Sequence, residues 1–232
     1  VPRQQSVKAN QDTMSSLLSL VVGRVNFRSP IGSGSALTIH TTLNGFNCSF
    51  AIVGTNADFN NDDGIVDFKK TFGFTNTTTN IPGSVFDLCW TVLFKGLVIP
   101  PFGDGTAYSG APRLLNLVRD AAGVNLCVAL RTTDGSLRFS KLDSNDTYSV
   151  SHGDLTTGSS VNLLVDQKNS EAYINGDSLT VSSTNVGFSI DSNDQGLFSK
   201  GTSTFADVKC EEIVFFTELS ESQKKYASKV GF

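Results

Sequence analysis

From residue 36 onward, apolar and polar positions alternate in short runs. "SALTIHTTL" (35–43) and "FNCSFAIVG" (46–54) alternate apolar and polar residues. "SVFDLCWTVLFKG" (84–96) sets Phe86, Leu88, Trp90, Val92 and Phe94 on one face, and Asp87, Cys89, Thr91, Leu93 and Lys95 on the other. A period of two with aromatic residues predicts a half-buried strand. "NLCVALRTTDGSLRFSKL" (125–142) and "EAYINGDSLTV" (171–181) place Asp134-Gly135 and Asn175-Gly176 between β-rich runs. Both dipeptides suit the positive φ angles of a type I′ hairpin. "SSVNLLVDQKNSEAYI" (159–174) adds a strand before the second hairpin, making a meander. Many short strands with frequent turns predict an all-β sandwich or barrel.

Two regions depart from this pattern. Residues 1–35 begin polar, pass through a short helical pattern near 11–22 and end in a Gly/Ser turn. They are expected to form an N-terminal arm or connector at the sandwich edge, with one domain over 36–232. At the other end, "TELSESQKKYASKVGF" carries Ser220 with Gln223 three residues on, a capping box, and Gly231 as the stop.

Composition agrees with many turns and no long helices. Charged residues make up 17% of the 232, and there are 21 glycines. A net charge of −4 without a Lys/Arg run argues against a nucleic-acid partner, because phosphate binding needs a positive field. No run of apolar residues is long enough to span a membrane, and the N-terminus shows no signal-peptide pattern. Cys48, Cys89, Cys127 and Cys210 are widely spaced with no CxxC, which disfavours zinc. They read as small buried side chains, with one or two disulfides as the alternative. Sequons occur at Asn47, Asn76 and Asn145.

Three landmarks carry a resemblance: the aromatic strand "FDLCWTVLFKG"; the hairpins "LRTTDGSLRFS" and "LTTGSSVNLLVDQKNSEAYINGDSL"; and "CEEIVFFTELSESQKKYASKVGF", where an apolar strand passes through Leu219-Ser220 into a helix. In this order they resemble the laminin-G-like, concanavalin A-like lectin/glucanase jelly roll, in the versions found in phage, viral and bacterial surface proteins. The likeness covers about residues 84–219, with 36–83 matching only as generic strands. It implies a two-sheet antiparallel jelly-roll sandwich with a short C-terminal helix, placed outside the cell or on a virion surface. Function on this fold is grafted onto loops and sheet faces.

Catalysis is not expected. Glucanase relatives carry carboxylates in a Glu-x-Asp-x-(x)-Glu strand pattern, and retaining hydrolysis needs two close carboxylates. Here Glu212 and Glu218 remain, but Val214 replaces the middle acid. Glu212 reads as an edge or rim residue and Glu218 as solvated. His40 and His152 read as surface histidines, although residue types alone leave a Cys/His pair open.

"ADFNNDDGIVDF" (57–68) looks like a calcium loop, yet Gly64 arrives one residue late and Lys69 stands where a bidentate Glu belongs. A polar turn is the expectation, so no cofactor is expected. Calcium stays open because the resemblance implies rim sites built from several loops. The favoured ligand loop is 95–113, where Phe102, Asp104, Tyr108 and Arg113 combine aromatic faces with hydrogen-bonding groups suited to sugars or a protein partner. A core-capping role for Phe102 is the alternative. The Asn/Asp-rich turn 189–196 is a second candidate. The expected function is non-catalytic recognition of a glycan or glycoprotein receptor, as in a viral spike or fibre. A structural capsid or appendage piece contacting other copies of itself is the alternative.

Overall fold

The computed structural model describes residues 13–27, 38–54, 66–68, 72–77, 83–86, 90–101, 113–118, 125–130, 135–140, 146–184, 196–200 and 204–232. A short helix, α1, covers residues 13–18. Strands follow as β1 Val21–Asn26, β2 Thr38–Leu43, β3 Phe46–Gly54, β4 Val66–Asp67 and β5 Phe72–Asn76. After the helical turn α2 Gly83–Phe86 come β6 Thr91–Val98, β7 Arg113–Val118, β8 Asn125–Leu130, β9 Leu137–Ser140 and β10 Thr147–Val150. The turn α3 Gly153–Thr156 precedes β11 Ser160–Asp166, β12 Glu171–Ile174, β13 Asp177–Ser178 and β14 Val181–Ser183. The chain closes with β15 Gly196–Leu197, β16 Ser199–Lys200, β17 Thr204–Phe205, β18 Lys209–Cys210, β19 Glu212–Phe216 and the helix α4 Glu221–Val230.

The strands form two antiparallel sheets packed as a sandwich, the fold class expected from the alternation. One sheet runs β1-β19-β6-β11-β12-β13, with β18 and β4 joined beside β6. The other runs β14-β10-β9-β8-β7-β15-β5-β3-β2, and β16–β17 form a separate ribbon. Register puts Ile213, Phe94, Leu163 and Ile174 in one row facing the core. The next row, Val214, Leu93, Leu164 and Tyr173, faces the opposite way into a second apolar cluster with Leu17, Leu219 and Ala227. The first sheet is thus buried on both faces, with the sandwich core beneath it and α1 and α4 above.

This corrects the expectation for 84–96. The strand starts at Thr91, and β6 is buried on both sides because helices cover its outer face. Gly83–Phe86 is a helical turn that sends Val85 into the core. Pro82-Gly83, a chain-breaking pair, stands at its start.

Residues 21–26, expected within a connector, are a full edge strand paired with β19. An aromatic nest closes the core at the end of β1. Phe27 lies 5.8 Å from Phe68, 6.1 Å from Phe74 and 5.6 Å from Phe198, measured between ring centroids.

The Asn175-Gly176 hairpin has both φ angles positive (51° and 99°), as a type I′ turn requires. A further hairpin sits at Asn44-Gly45, with φ 47° and 79°. The capping box of α4 is complete, with Ser220 Oγ accepting from the Gln223 amide and Gln223 Oε1 accepting from the Ser220 amide. Gly231 ends the helix in the left-handed region. No helix among the described residues is long and apolar enough to cross a membrane.

Candidate functional site

Both long sides of the sandwich are closed, by different devices. On one side the chain itself crosses from β13 to β14 through Leu179, whose amide donates to the Ala172 carbonyl. On the other side the edge strands β1 and β2 come together. The Asn44 amide donates to the Val22 carbonyl at 2.6 Å, and the Thr41 hydroxyl donates to the Arg24 carbonyl. These bonds occupy carbonyls that an edge strand would otherwise leave open to another chain. Gly23 permits the approach. A Cβ there would lie 2.4 Å from Leu43 Cδ2 and 2.8 Å from the Thr42 carbonyl.

Along this seam runs an open groove of about 800 Å³, lined by residues 21–24 of β1, by His40, Thr41 and Thr42 of β2, and by Asn47 and Cys48 of β3. Alternation sets which side chains of β2 and β3 face outward beside it. Ile39, Leu43, Cys48 and Phe50 point into the core, so His40, Thr42, Asn47 and Ser49 fall on the outer face. Cross-strand register pairs His40 with Ser49 and Thr42 with Asn47. His40 Nδ1 and Ser49 Oγ are 2.8 Å apart, and Thr42 Oγ1 donates to Asn47 Oδ1 at 2.9 Å. Thr77, after β5, extends this polar surface by donating its hydroxyl to the Ser49 carbonyl at 3.1 Å.

Among the described lining residues, Arg24 carries the one permanent charge, and it is neutralised locally. Its guanidinium contacts the Glu212 carboxylate oxygens at 3.3 and 3.2 Å and lies 5.0 Å from the centre of the Phe232 ring. Burial pushes the Cys48 thiol up to about 11, which disfavours the reactive thiolate.

The residues singled out in the sequence scatter. Phe102, Asp104 and Tyr108 lie outside the described residues, as do most of the calcium-like stretch, the 189–195 part of the second candidate turn, Cys89, Asp134 and Asn145. Arg113 is not a loop residue. It opens β7 opposite Ala129 and is buried. Glu212, expected at a rim, stands inside the sheet between β1 and β6 and is 9% exposed. Glu218 is exposed as expected, 3.2 Å from Lys168. His152 caps α3, its Nδ1 accepting from the Asp154 amide. Cys48, Cys127 and Cys210 are buried and outside any disulfide, in line with the simpler reading of the cysteines. The groove went unnoticed in the sequence although its local signals were present: period two across 38–43 and the dipeptide Asn44-Gly45.

Neither a protein-family model nor a curated protein matches this sequence. Solved structures do share its architecture. A Trypanosoma rangeli sialidase in complex with sialic acid aligns over 92% of this chain and 33% of its own, at 12% identity and a TM-score of 0.53. The binding domain of Paraclostridial Mosquitocidal Protein 1 aligns over 93% of this chain and 53% of its own, at 15% identity and a TM-score of 0.52. This chain therefore corresponds to a third of one structure and about half of the other. What they have in common with it is the fold, a two-sheet antiparallel sandwich.

Proposed function

We propose that this domain is a non-catalytic recognition module of a surface protein and binds a glycan, free or on a glycoprotein. The observation that carries the reading is the seam groove. Its polar groups sit on paired strands in pre-formed cross-strand pairs, and the half-buried Val21 and Val22 of β1 also line it. Small-ligand sites combine such apolar surface with a few well-placed polar groups. The architecture supports the reading by analogy, because sandwiches like it occur in a sialidase and in the binding domain of a mosquitocidal protein. The lectin-like resemblance of the sequence points the same way.

The non-catalytic part of the reading is supported by the spacing of the one glucanase-like carboxylate pair in the sequence, Glu212 and Glu218. Glu212 starts β19 and Glu218 lies beyond its end. The four strand steps from Glu212 to Phe216 alone span about 13 Å, whereas retaining hydrolysis needs carboxylates about 5 Å apart.

The test is retention of purified multivalent protein on a panel of glycoproteins, before and after enzymatic removal of their glycans. Binding that disappears with the glycans supports recognition. Equal retention on the stripped proteins would sink it in favour of a protein receptor, and concentration-dependent oligomers without any retention would favour a structural piece.

A further inference from the structure

Given that reading, the chemistry of the groove narrows the ligand. We propose that the seam groove takes an uncharged saccharide, held through its hydroxyl groups, rather than a sugar acid or a peptide.

Charge argues first. An anionic sugar would need a free cation, and Arg24 is the permanent cation among the described lining residues. Its guanidinium is engaged by the Glu212 carboxylate, which is itself almost wholly buried. Both contacts run through Nη1, so turning that nitrogen to an incoming carboxylate would strip a buried anion of its partner, a costly exchange. Among the described lining residues the Arg24 charge is balanced by its partner Glu212, so an anion gains little attraction there to offset its lost hydration.

Hydrogen-bonding capacity argues next. Hydroxyl and side-chain amide groups each donate and accept. The pairs His40–Ser49 and Thr42–Asn47 lie two residues apart on the same strands, roughly 7 Å along the sheet. That spacing suits hydroxyls on one or two sugar rings, which also donate and accept. Because each pair is already hydrogen-bonded, little side-chain freedom is lost on binding.

A peptide adding itself as a strand would need open edge carbonyls on β1. Those of Val22 and Arg24 already accept from Asn44 and Thr41.

The experiment is a glycan array probed with the multivalent full chain, comparing neutral galactose-, mannose- and N-acetylhexosamine-containing glycans with the sialylated or sulfated form of each. Alongside it run Thr42→Val, which keeps shape and strand preference, Asn47→Asp, which adds a charge at constant size, and Ser182→Ala on the far edge strand β14 as a control. Far-UV circular dichroism and melting confirm that each variant folds. The expected result is binding to neutral glycans, weakened about tenfold by Thr42→Val or Asn47→Asp, with Ser182→Ala unchanged. Binding confined to sialylated or sulfated glycans would overturn this inference and leave glycan recognition standing. Neutral binding untouched by both groove variants would move the site elsewhere and overturn it equally. No retention of either glycan class would remove the glycan reading and this inference with it.

Discussion

Lys224 of α4 reaches back to the carboxylate of Asp166 at the end of β11, with both side chains almost fully buried. The same ammonium contacts Glu171 Oε2 at 2.8 Å, and the Tyr173 hydroxyl donates to that oxygen at 2.9 Å. Asp166 also accepts from the amides of Lys168 and Asn169 and from the Asn169 side chain. The C-terminal helix is therefore fastened to the β11–β12 turn by a polar clasp as well as by Tyr173, Leu219 and Ala227 in the outer apolar cluster. Because α4 covers the outer face of the first sheet, the clasp governs whether that face stays dry.

Breaking the clasp from one side should be costly. Lys224→Met keeps the apolar stem but leaves Asp166 with its amide donors alone. A loss of about 3 kcal/mol in unfolding free energy is expected, as for a buried pair deprived of one partner. Urea denaturation measures it. A loss below about 0.5 kcal/mol, typical of surface pairs, would show that the clasp is solvated in practice.

The same cluster makes the protein sensitive to alkali. Burial alone would lower the Lys224 pKa, but the hydrogen bonds to Asp166 and Glu171 outweigh it and hold the ammonium above its usual 10.5. For Tyr173, burial first and then the Glu171 carboxylate push the phenol above its usual 10. Both folded values exceed the unfolded ones, so both contributions are fully present below about pH 10 and fade as pH rises through the folded values. Urea unfolding at pH 8, 10 and 11 should show stability falling only at the alkaline end. Lys224→Met with Tyr173→Phe should flatten that slope. An unchanged slope in the double variant would assign it to other groups.

Gly23 sets the distance between the two sheet edges. Gly23→Ala drives a methyl into Leu43 and the Thr42 carbonyl. An overpacking cost of about 1–3 kcal/mol follows, because backbone cannot yield as a flexible side chain does. Adding Leu43→Val removes the closest clashing atom and should restore part of the loss. If Gly23→Ala were neutral, the seam would be looser than the Asn44–Val22 bond indicates.

Legibility in the sequence followed the range of the interactions. The capping box of Ser220 and Gln223 and the Asn175-Gly176 turn are local chemistry, and both stand as read. β1 was harder, because its run "VVGRVN" directly follows a helical pattern and its partner, β19, lies near the other end of the chain. The burial of β6 on both faces depends on α4, more than a hundred residues later. Glu212 looked like a rim residue because its partner Arg24 is 188 positions away. The groove is the extreme case. His40, Thr42 and Asn47 are ordinary outward positions of a hairpin, and only the meeting of β1 and β2 at Gly23 turns them into the wall of a cleft.

Cys48 and His40 both line the groove, and a Cys/His pair is a catalytic arrangement that residue types alone leave open. The fold points the two side chains to opposite faces of β2–β3, with His40 bonded to Ser49 and Cys48 in the core. With its thiol at about 11 against an ordinary 9.0, Cys48 holds about a hundredfold less thiolate near neutral pH than an exposed cysteine. Burial raises Cys210 further still. Iodoacetamide at pH 8, read by peptide mass spectrometry, should leave Cys48, Cys127 and Cys210 unlabelled in the native protein and label all three in urea. Fast native labelling of Cys48 that slows in His40→Ala would reverse this and make the pair a nucleophilic centre facing the groove.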